Sequence, residues 1–282
     1  MNMSQSKEEI LIEALPYIQK YEGKTFVVKY GGAAQTETEL KHRFAKDVTI
    51  LKKIGINIVI VHGGGKEITD TAYKLGIETQ FVNGHRFTDK KMVDVVQMVL
   101  AGKINKEIVN LINQNDGESV GISGVDNNLL TAEKYFEDGQ DIGLVGHIVD
   151  VNIPFLQMFL TNRLMPVIAP FGVGTDGTIY NVNADLAAAA VASALKAEKL
   201  VYLSDVEGVI ANKQLVSTLT EQHARELFGE GIINGGMIPK VKSAFSTLHA
   251  GVKKVHMIDG RKKHSLLLEI FTDEGIGTEL VL

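Results

Sequence analysis

Two glycine-rich segments each adjoin a short β-branched run. Lys29-Tyr30-Gly31-Gly32 lies at the end of TFVVKY, and His62-Gly63-Gly64-Gly65 follows INIVIV. Ligands of open α/β sheets bind beyond the carboxyl ends of strands. Glycines there let backbone N–H groups face an anion at a helix N-terminus. The two segments together predict a site for a multiply charged anion, although a tight turn explains either one alone.

A third segment places a lysine where the helix dipole disfavours it. Gly235-Gly236-Met237-Ile238-Pro239-Lys240 opens a predicted helix, and proline fits the first helical turn. A cation near a helix N-terminus is unfavourable. Lys240 therefore either pairs with a bound anion or is a solvated surface lysine.

Several polar side chains lie at comparable positions. Asp185 follows the N-cap candidate Asn183 and precedes LAAAAVASAL, so it either complements the helix dipole or organises magnesium or lysines. Ser204 and Asp205 follow KLVYL and are candidates for a loop cap or a nucleotide site. Arg86, in NGHRFT, is either a carboxylate clamp or a surface arginine.

Other chemistries are excluded or disfavoured. Gly65-Lys66 is followed by Glu67, which does not fit a Walker A loop. The segment 172–177 spells G-x-G-x-x-G, but strand-like residues follow it, so Asp176-Gly177 predicts a hairpin turn instead of a dinucleotide site. The chain has no cysteine, and its eight histidines lack metal-ligand spacing.

The elements that must position these residues alternate between strands and helices, which predicts an α/β fold with right-handed crossovers. A terminal helix over 6–21 has an apolar face formed by Ile10, Leu11, Ala14, Leu15 and Ile18, which packs either on its own domain or on a partner subunit. The predicted strands cover 25–30, 56–61, 119–123, 166–169 and 199–203, and the predicted helices 37–53, 66–75, 89–113, 185–196 and 239–250.

Composition describes an ordinary globular chain. Of 282 residues, 28 are glycine, 45% are hydrophobic and 22% are charged. The net charge of −5 gives no electrostatic reason to bind nucleic acid. No apolar run reaches membrane-spanning length, and the N-terminus does not read as a secretory signal, so we expect a cytoplasmic protein without membrane contact.

Six ordered motifs, from about residue 24 onward, are similar to the amino acid kinase family, and within it to the branch that phosphorylates N-acetyl-L-glutamate. They are Lys29-x-Gly-Gly, His62-Gly-Gly-Gly, Asn83-Gly-x-Arg-x-Thr, Asn181-x-Asn-x-Asp, Leu203-Ser-Asp-Val-x-Gly-Val and Gly235-Gly-Met-x-x-Lys. The resemblance implies an open three-layer αβα sandwich around a mainly parallel sheet. It implies residues 23–195 as the acetylglutamate-binding part and 196–282 as the ATP-binding part.

The implied reaction is ATP-dependent phosphorylation of the γ-carboxylate of N-acetyl-L-glutamate, in arginine biosynthesis. Lys29 and Lys240 would neutralise the transferring phosphoryl group, and Asp185 would orient both lysines. Mg²⁺ would enter with ATP, without a protein metal site. The remaining implied residues are Gly64, Gly65, Arg86 and Asn181 for the substrate, and Gly31, Gly32, Ser204, Asp205 and Met237 for the nucleotide.

The N-terminal helix and the C-terminal segment are similar to those of arginine-inhibited members. The resemblance implies that residues 1–22 interlace dimers into a hexamer, a trimer of dimers, and that L-arginine is a feedback inhibitor. Glu269 would pair with the ligand's cationic groups, Gly275 and Gly277 would give backbone access, and Tyr17 would close the site. From the residues alone, a structural explanation is equally good: residues 266–270 would form a core helix and residues 275–277 a turn.

Two other functions remain open. A kinase acting on another carboxylate, such as a carrier-bound aminoadipate or glutamate, fits the same motifs. An arginine sensor without catalysis would not need Lys29, Asp185 and Lys240 together. A synthase would also need an acetyltransferase module, for which we expect the chain to be too short.

Overall fold

The computed structural model describes residues 7–35, 37–272 and 275–282. The helices are α1 Lys7–Tyr21, α2 Thr38–Lys53, α3 Gly65–Lys74, α4 Lys90–Gln97, α5 Asn105–Asn113, α6 Ile153–Thr161, α7 Ala184–Ala194, α8 Glu221–Gly229, α9 Met237–His249 and α10 Ser265–Phe271. Short 3₁₀ turns lie at Gly32–Gln35 and Asp126–Asn128, and a π-helical segment at Met98–Ile104.

The strands are β1 Thr25–Tyr30, β2 Asn57–His62, β3 Phe81–Val82, β4 His85–Arg86, β5 Ser119–Ser123, β6 Leu130–Glu137, β7 Gln140–Val151, β8 Met165–Ala169, β9 Phe171–Val173, β10 Ile179–Val182, β11 Lys199–Ser204, β12 Ile210–Ala211, β13 Gln214–Leu215, β14 Thr218–Thr220, β15 Lys254–Asp259 and β16 Thr278–Val281.

A central eight-stranded sheet has the order β14-β16-β15-β11-β1-β2-β8-β5. Six of its strands are mutually parallel: β15, β11, β1, β2, β8 and β5. Strand β16 runs antiparallel to β15, and β14 pairs in parallel with β16. The sheet is continuous across residue 195, because Val28 of β1 lies opposite both Ile60 of β2 and Val201 of β11.

Helices cover both faces of this sheet. Val27, Val59 and Val61 belong to the core on the side of α6, α7, α8 and α9. The core on the other face contains Phe26, Val28, Ile58 and Ile60, together with residues of α2, α4, α5 and α10. Both faces of the central strands are buried, as their continuous apolar runs predict. The predicted three-layer αβα architecture is confirmed.

A small closed sheet of order β10-β7-β6-β9 was not predicted. The chain enters it from the carboxyl ends of β5 and β8. Its β9–β10 connection contains the G-x-G-x-x-G sequence as a hairpin, in which Gly174 N–H donates to Thr178 O at 2.7 Å. The hairpin prediction for Asp176-Gly177 is confirmed, with Gly177 at φ +84°.

Most predicted elements appear within two residues of their predicted bounds. The predicted helix over 89–113 is helical throughout 90–113, but the π-helical form of its middle was not predicted. Asp89 caps α4, accepting from Met92 N–H at 2.7 Å, but the π-helical segment separates α4 from α5.

Helix α1 begins at Lys7, so the predicted start at Ser6 lies outside the described residues. It contacts α10, and its last residue, Tyr21, is buried edge-on against Phe26. Leu15 remains 52% exposed, and the side chains of Ile10 and Leu11 are outside those described. No helix in the described ranges is long and apolar enough to cross a membrane.

Candidate active site

One carboxylate joins two lysines at the carboxyl edge of the sheet. Asp185 Oδ1 lies 2.8 Å from Lys29 Nζ, and its Oδ2 accepts a hydrogen bond from Lys240 Nζ at 2.7 Å. The lysines come from β1 and α9, and the aspartate from the first turn of α7. The predicted trio thus meets in space, although its members are up to 211 positions apart in the sequence (29 to 240).

The start of α7 fixes this carboxylate. Asn183 caps the helix as predicted, accepting from the N–H groups of Asp185 and Leu186. The alanine-rich face of α7 packs against β1, β2 and β11. Burial raises the pKa of Asp185, but the adjacent charges of Lys29 and Lys240 outweigh burial, and the net pKa is below its ordinary value. The group is therefore an ionised carboxylate holding two cations.

The two predicted glycine segments lie side by side, where Gly63 N–H donates to Tyr30 O at 2.8 Å. A Cβ on Gly31 would lie 2.7 Å from Lys29 Nζ. A Cβ on Gly64 would lie 2.4 Å from Ile104 Cδ1 and 2.7 Å from Leu100 Cδ2. Because glycine has no side chain, Gly31 leaves room for Lys29, and Gly64 leaves room for the π-helical segment.

A cavity of about 230 Å³ adjoins the trio and is bordered by all four residues predicted for the substrate. Arg86 contributes a largely buried guanidinium whose Nη2 donates to Gly65 O at 2.8 Å and Thr69 Oγ1 at 2.9 Å. Its buried Nη1 has no hydrogen-bond partner among the described residues. Burial lowers the pKa of Arg86. An arginine that borders a cavity and has one buried, unpaired donor nitrogen is suited to a carboxylate ligand.

Asn181 also borders the cavity. Its Nδ2 donates to Thr88 Oγ1 at 3.1 Å, and Thr88 Oγ1 donates to Arg86 O at 2.9 Å. Asn181 and Arg86 are thereby linked through one threonine hydroxyl.

The buried side chains of His62 and Asn105 form a pair that was not predicted from the sequence. His62 Nε2 lies 3.2 Å from Asn105 Nδ2, and the same amide donates to Val167 O at 2.8 Å. Burial lowers the pKa of His62 to about 4, so its imidazole is neutral. The pair connects β2 to the start of α5. No local pattern marks it, because its members are 43 residues apart.

Three of the residues predicted for the nucleotide, Gly32, Ser204 and Asp205, lie close together. A Cβ on Gly32 would lie 3.6 Å from Asp205 N, and Ser204 is buried at the end of β11. Met237 is the first residue of α9. The described residues hold no group of three or more His, Asp or Glu side chains able to bind a metal ion.

A second cavity lies between α1 and the C-terminal strands, and the predicted regulatory residues Tyr17, Glu269, Gly275 and Gly277 all border it. Glu269 Oε2 accepts from the backbone N–H groups of Ile276 and Gly277 at 2.7 and 3.1 Å. A Cβ on Gly277 would lie 2.2 Å from Met257 O, so close packing on β15 explains this glycine.

Two further residues bordering the second cavity were not predicted. His256 Nδ1 lies 2.6 Å from Glu269 Oε1, and Lys199 Nζ lies 3.1 Å from His256 Nε2. Burial lowers the pKa of Lys199 to about 8, with the nearby Lys254 charge contributing. Burial raises the pKa of Glu269, but the His256 hydrogen bond and the backbone donors outweigh it and lower the pKa below its ordinary value.

The fold and the site define an α/β protein with glycine loops and two lysines gathered at the carboxyl edge of a mainly parallel sheet, an arrangement suited to an anionic ligand. Residues 24–259 match the model of the amino acid kinase family. The chain belongs to this family, and it is a kinase.

Curated relatives cover nearly the whole chain. It is 56% identical over 272 residues to a Chlorobaculum tepidum protein named acetylglutamate kinase, covering 96% of this chain and 95% of the relative. It is 56% identical over 276 residues to a protein of the same name from Caldanaerobacter subterraneus subsp. tengcongensis, covering 96% and 92%.

A solved neighbour is N-acetylglutamate synthase from Neisseria gonorrhoeae, complexed with coenzyme A and N-acetylglutamate (TM-score 0.89, 29% identity, 99% of this chain). This chain spans 64% of that synthase chain. The same synthase has also been solved with coenzyme A and L-arginine (TM-score 0.84, 28% identity, 98% of this chain and 66% of the synthase). Carbamate kinase of Giardia shares the fold at 17% identity (TM-score 0.64, 92% of this chain and 99% of that chain).

Proposed function

We propose that this kinase transfers the γ-phosphoryl group of ATP to the γ-carboxylate of N-acetyl-L-glutamate. The product is N-acetyl-L-glutamyl 5-phosphate, an intermediate of arginine biosynthesis. The observation that carries the proposal is the placement of Lys29 and Lys240, within 2.8 and 2.7 Å of one Asp185 carboxylate, beside a cavity bordered by Arg86, whose Nη1 is unpaired among the described residues. The names of the relatives supply the substrate.

The substrate would lie with its α-carboxylate on Arg86, whose Nη1 is the available donor, and with its amide near Asn181. Its γ-carboxylate would then point toward the lysines and the N–H groups of Gly64 and Gly65. The attacking group is already an anion, so no general base is required. Phosphoryl transfer depends mainly on positioning and on neutralising charge. Lys29 and Lys240 would supply that neutralisation, and Asp185 would keep them apart and oriented.

ATP would occupy the side formed by Ser204, Asp205 and Met237 of the nucleotide-binding part 196–282, together with Gly31 and Gly32 at the edge of the substrate-binding part 23–195. Mg²⁺ fits as a companion of ATP, because the carboxylate of Asp185 is engaged by two lysines. Magnesium favours substrate phosphates and water over an all-protein cage. Bound in that way, it would neutralise phosphate charge.

The test is formation of an acyl phosphate. Purified protein with ATP and Mg²⁺ is given N-acetyl-L-glutamate and hydroxylamine, and the acyl hydroxamate is quantified. Parallel reactions contain glutamate, N-acetyl-aminoadipate, and carrier-bound glutamate or aminoadipate. We expect turnover with free N-acetyl-L-glutamate to exceed the others strongly. Preferential turnover of a carrier-bound substrate would replace the proposed acceptor.

We also propose that L-arginine inhibits the enzyme by binding in the second cavity. Its guanidinium and α-amino group suit an ionised Glu269, and Tyr17 would close the cavity from α1. The exposed Leu15 supports a partner subunit on the same helix, in a hexamer built as a trimer of dimers. Inhibition then requires arginine to bind one arrangement of the subunits better than another.

A further inference from the structure

The hairpin that carries Arg86 has little support of its own. Strands β3 and β4 are two residues each, and they pair only with one another. Their connection is the two-residue turn Asn83-Gly84, with φ of +46° and +86°. An isolated two-stranded hairpin is marginally stable in water. The position of Arg86 therefore depends on what holds this hairpin from outside.

The base of the hairpin is held by backbone hydrogen bonds. Thr88 N–H donates to Ile142 O at 3.1 Å, and Leu144 N–H donates to Thr88 O at 2.6 Å. Gly143 permits this approach, since a Cβ there would lie 2.3 Å from Thr88 O. These contacts locate the chain after Arg86 but do not reach the turn.

The tip is held by carboxylates on the neighbouring β6–β7 hairpin, and Glu137 is the one that contacts two of its residues. Glu137 Oε2 lies 3.4 Å from His85 Nε2, and Glu137 Oε1 lies 3.4 Å from Asn83 Nδ2. The Tyr135 hydroxyl donates to Glu137 Oε2 at 2.7 Å and orients it. Asn83 Nδ2 also lies 3.4 Å from Asp138 Oδ2, so the turns of the two hairpins face each other directly.

The structure assigns Glu137 as a positioning residue: by holding the tip of the β3–β4 hairpin, it fixes Arg86 over the cavity. This inference rests on the proposed function, in which Arg86 binds the substrate α-carboxylate. Glu137 itself does not border the cavity. Its neighbour His85 does, and Arg86 is the next residue on the same two-residue strand.

The guanidinium of Arg86 is especially sensitive to movement of the hairpin. Its Cζ lies 4.8 Å from the ring centroid of Phe81 on the paired strand, so part of its packing moves with the hairpin. Both of its hydrogen bonds use Nη2, and they hold only one arm of the fork. Loss of the tip contact would let Nη1 sample orientations that miss the substrate, which weakens binding more than it slows the chemical step.

Glu137→Ala is compared with Glu133→Ala, an exposed glutamate on the same strand. We expect Glu137→Ala to raise KM for N-acetyl-L-glutamate about 3- to 10-fold, the range of one lost hydrogen-bonded contact, with kcat within about two-fold. Glu137→Gln retains an acceptor and should give an intermediate KM. KM for ATP should not change. An unchanged KM for N-acetyl-L-glutamate, or an equal rise in Glu133→Ala, would overturn the assignment.

Hydrogen exchange followed by mass spectrometry tests the same contact without turnover. In Glu137→Ala, peptides covering 80–88 should exchange faster than in the unsubstituted protein, while peptides covering 57–62 of the central sheet should not change. If the unsubstituted protein fails to phosphorylate N-acetyl-L-glutamate, the proposed function fails and the exchange result still decides whether Glu137 holds the hairpin. Unchanged exchange over 80–88 in an active enzyme contradicts only the role of Glu137.

Discussion

Lys240 Nζ lies 2.7 Å from Asp185 Oδ2, and this contact joins the first turn of α9 to the first turn of α7. A lysine is unfavourable at a helix N-terminus. The carboxylate of the other helix compensates for it here and would release it toward a phosphoryl group. Lys29 lies at 2.8 Å on the other carboxylate oxygen, so one aspartate sets the separation of both cations.

Replacing either lysine should abolish most of the chemical step. Lys29→Ala and Lys240→Ala should each lower kcat about 10²- to 10³-fold, because each removes a charge that matters most in the transition state. KM for both substrates should change by less than about three-fold. Steady-state kinetics checks this, with the exposed Lys242→Ala on the same helix as control. A near-normal kcat in either variant would remove that lysine from the proposed mechanism.

Asp185→Asn should reduce both turnover and stability. It leaves two lysines facing each other without an anion, which we expect to cost roughly 2 kcal/mol of unfolding free energy, since both lysines retain some access to water. Because the pKa of Asp185 is depressed, its contribution is present above the ordinary pKa of 3.8 and is lost as the pH falls through the lower folded value. Denaturant melts at pH 7 and pH 3 should therefore differ less for the variant, and an equal difference would contradict this.

Arg86→Lys should act mainly on binding. A lysine keeps the charge but loses the fork that leaves Nη1 available while Nη2 is bound to Gly65 and Thr69. We expect KM for N-acetyl-L-glutamate to rise about ten-fold, equivalent to roughly 1.4 kcal/mol, with little change in KM for ATP. Arg225→Lys, on the exposed face of α8, is the matched control. An unchanged KM would refute the proposed clamp.

The buried neutral His62 predicts a loss of stability in mild acid. Its folded pKa of about 4 lies below the ordinary 6.5, so the unfolded chain binds a proton that the folded chain excludes. This group should lower the unfolding free energy by roughly 1 kcal/mol for each pH unit between about 6.5 and 4. His62→Gln should flatten that slope, whereas His42→Gln, at an exposed histidine, should not. Parallel slopes in both variants would rule out His62 as the source.

Deleting residues 1–20 should abolish inhibition by arginine and leave dimers. The deletion removes Tyr17 and the exposed Leu15 of α1 but retains Tyr21, whose ring packs on Phe26. Activity assays with and without arginine, together with light scattering, measure both effects. Dimers that are still inhibited would show that α1 is dispensable for the arginine response.

Features encoded by short segments were predictable from the sequence. The glycine segments, the caps Asp89 and Asn183 and the buried strands depend on neighbouring residues only, and they were found at their predicted places. The Asp138-Gly139 dipeptide is typical of a hairpin turn, although no hairpin was predicted there. By contrast, Glu137 beside Asn83 joins residues 54 apart, and nothing in either segment specifies the other.

The π-helical middle of the predicted helix over 89–113 has a different origin. Periodicity reports which faces are apolar, and α4 and α5 each satisfy it. The π-helical segment between them depends instead on tertiary packing, in which Leu100 and Ile104 fit against Gly64. Such local irregularities are common near functional sites and carry no sequence pattern of their own.

That segment makes chain length, and not only residue identity, a determinant of the site. Successive residues of an α-helix are rotated by about 100°. A π-helical turn holds one residue more than an α-helical turn, so a single deletion within 98–104 would be absorbed when this segment becomes ordinary helix. A single deletion within 90–97 has no extra residue to remove and would turn the start of α4 by about that angle relative to α5, so the helix could not keep both its own packing and the contacts of Asn105 with His62 and the carbonyl of Val167. Of these two deletions, the one within 90–97 should therefore be the more damaging.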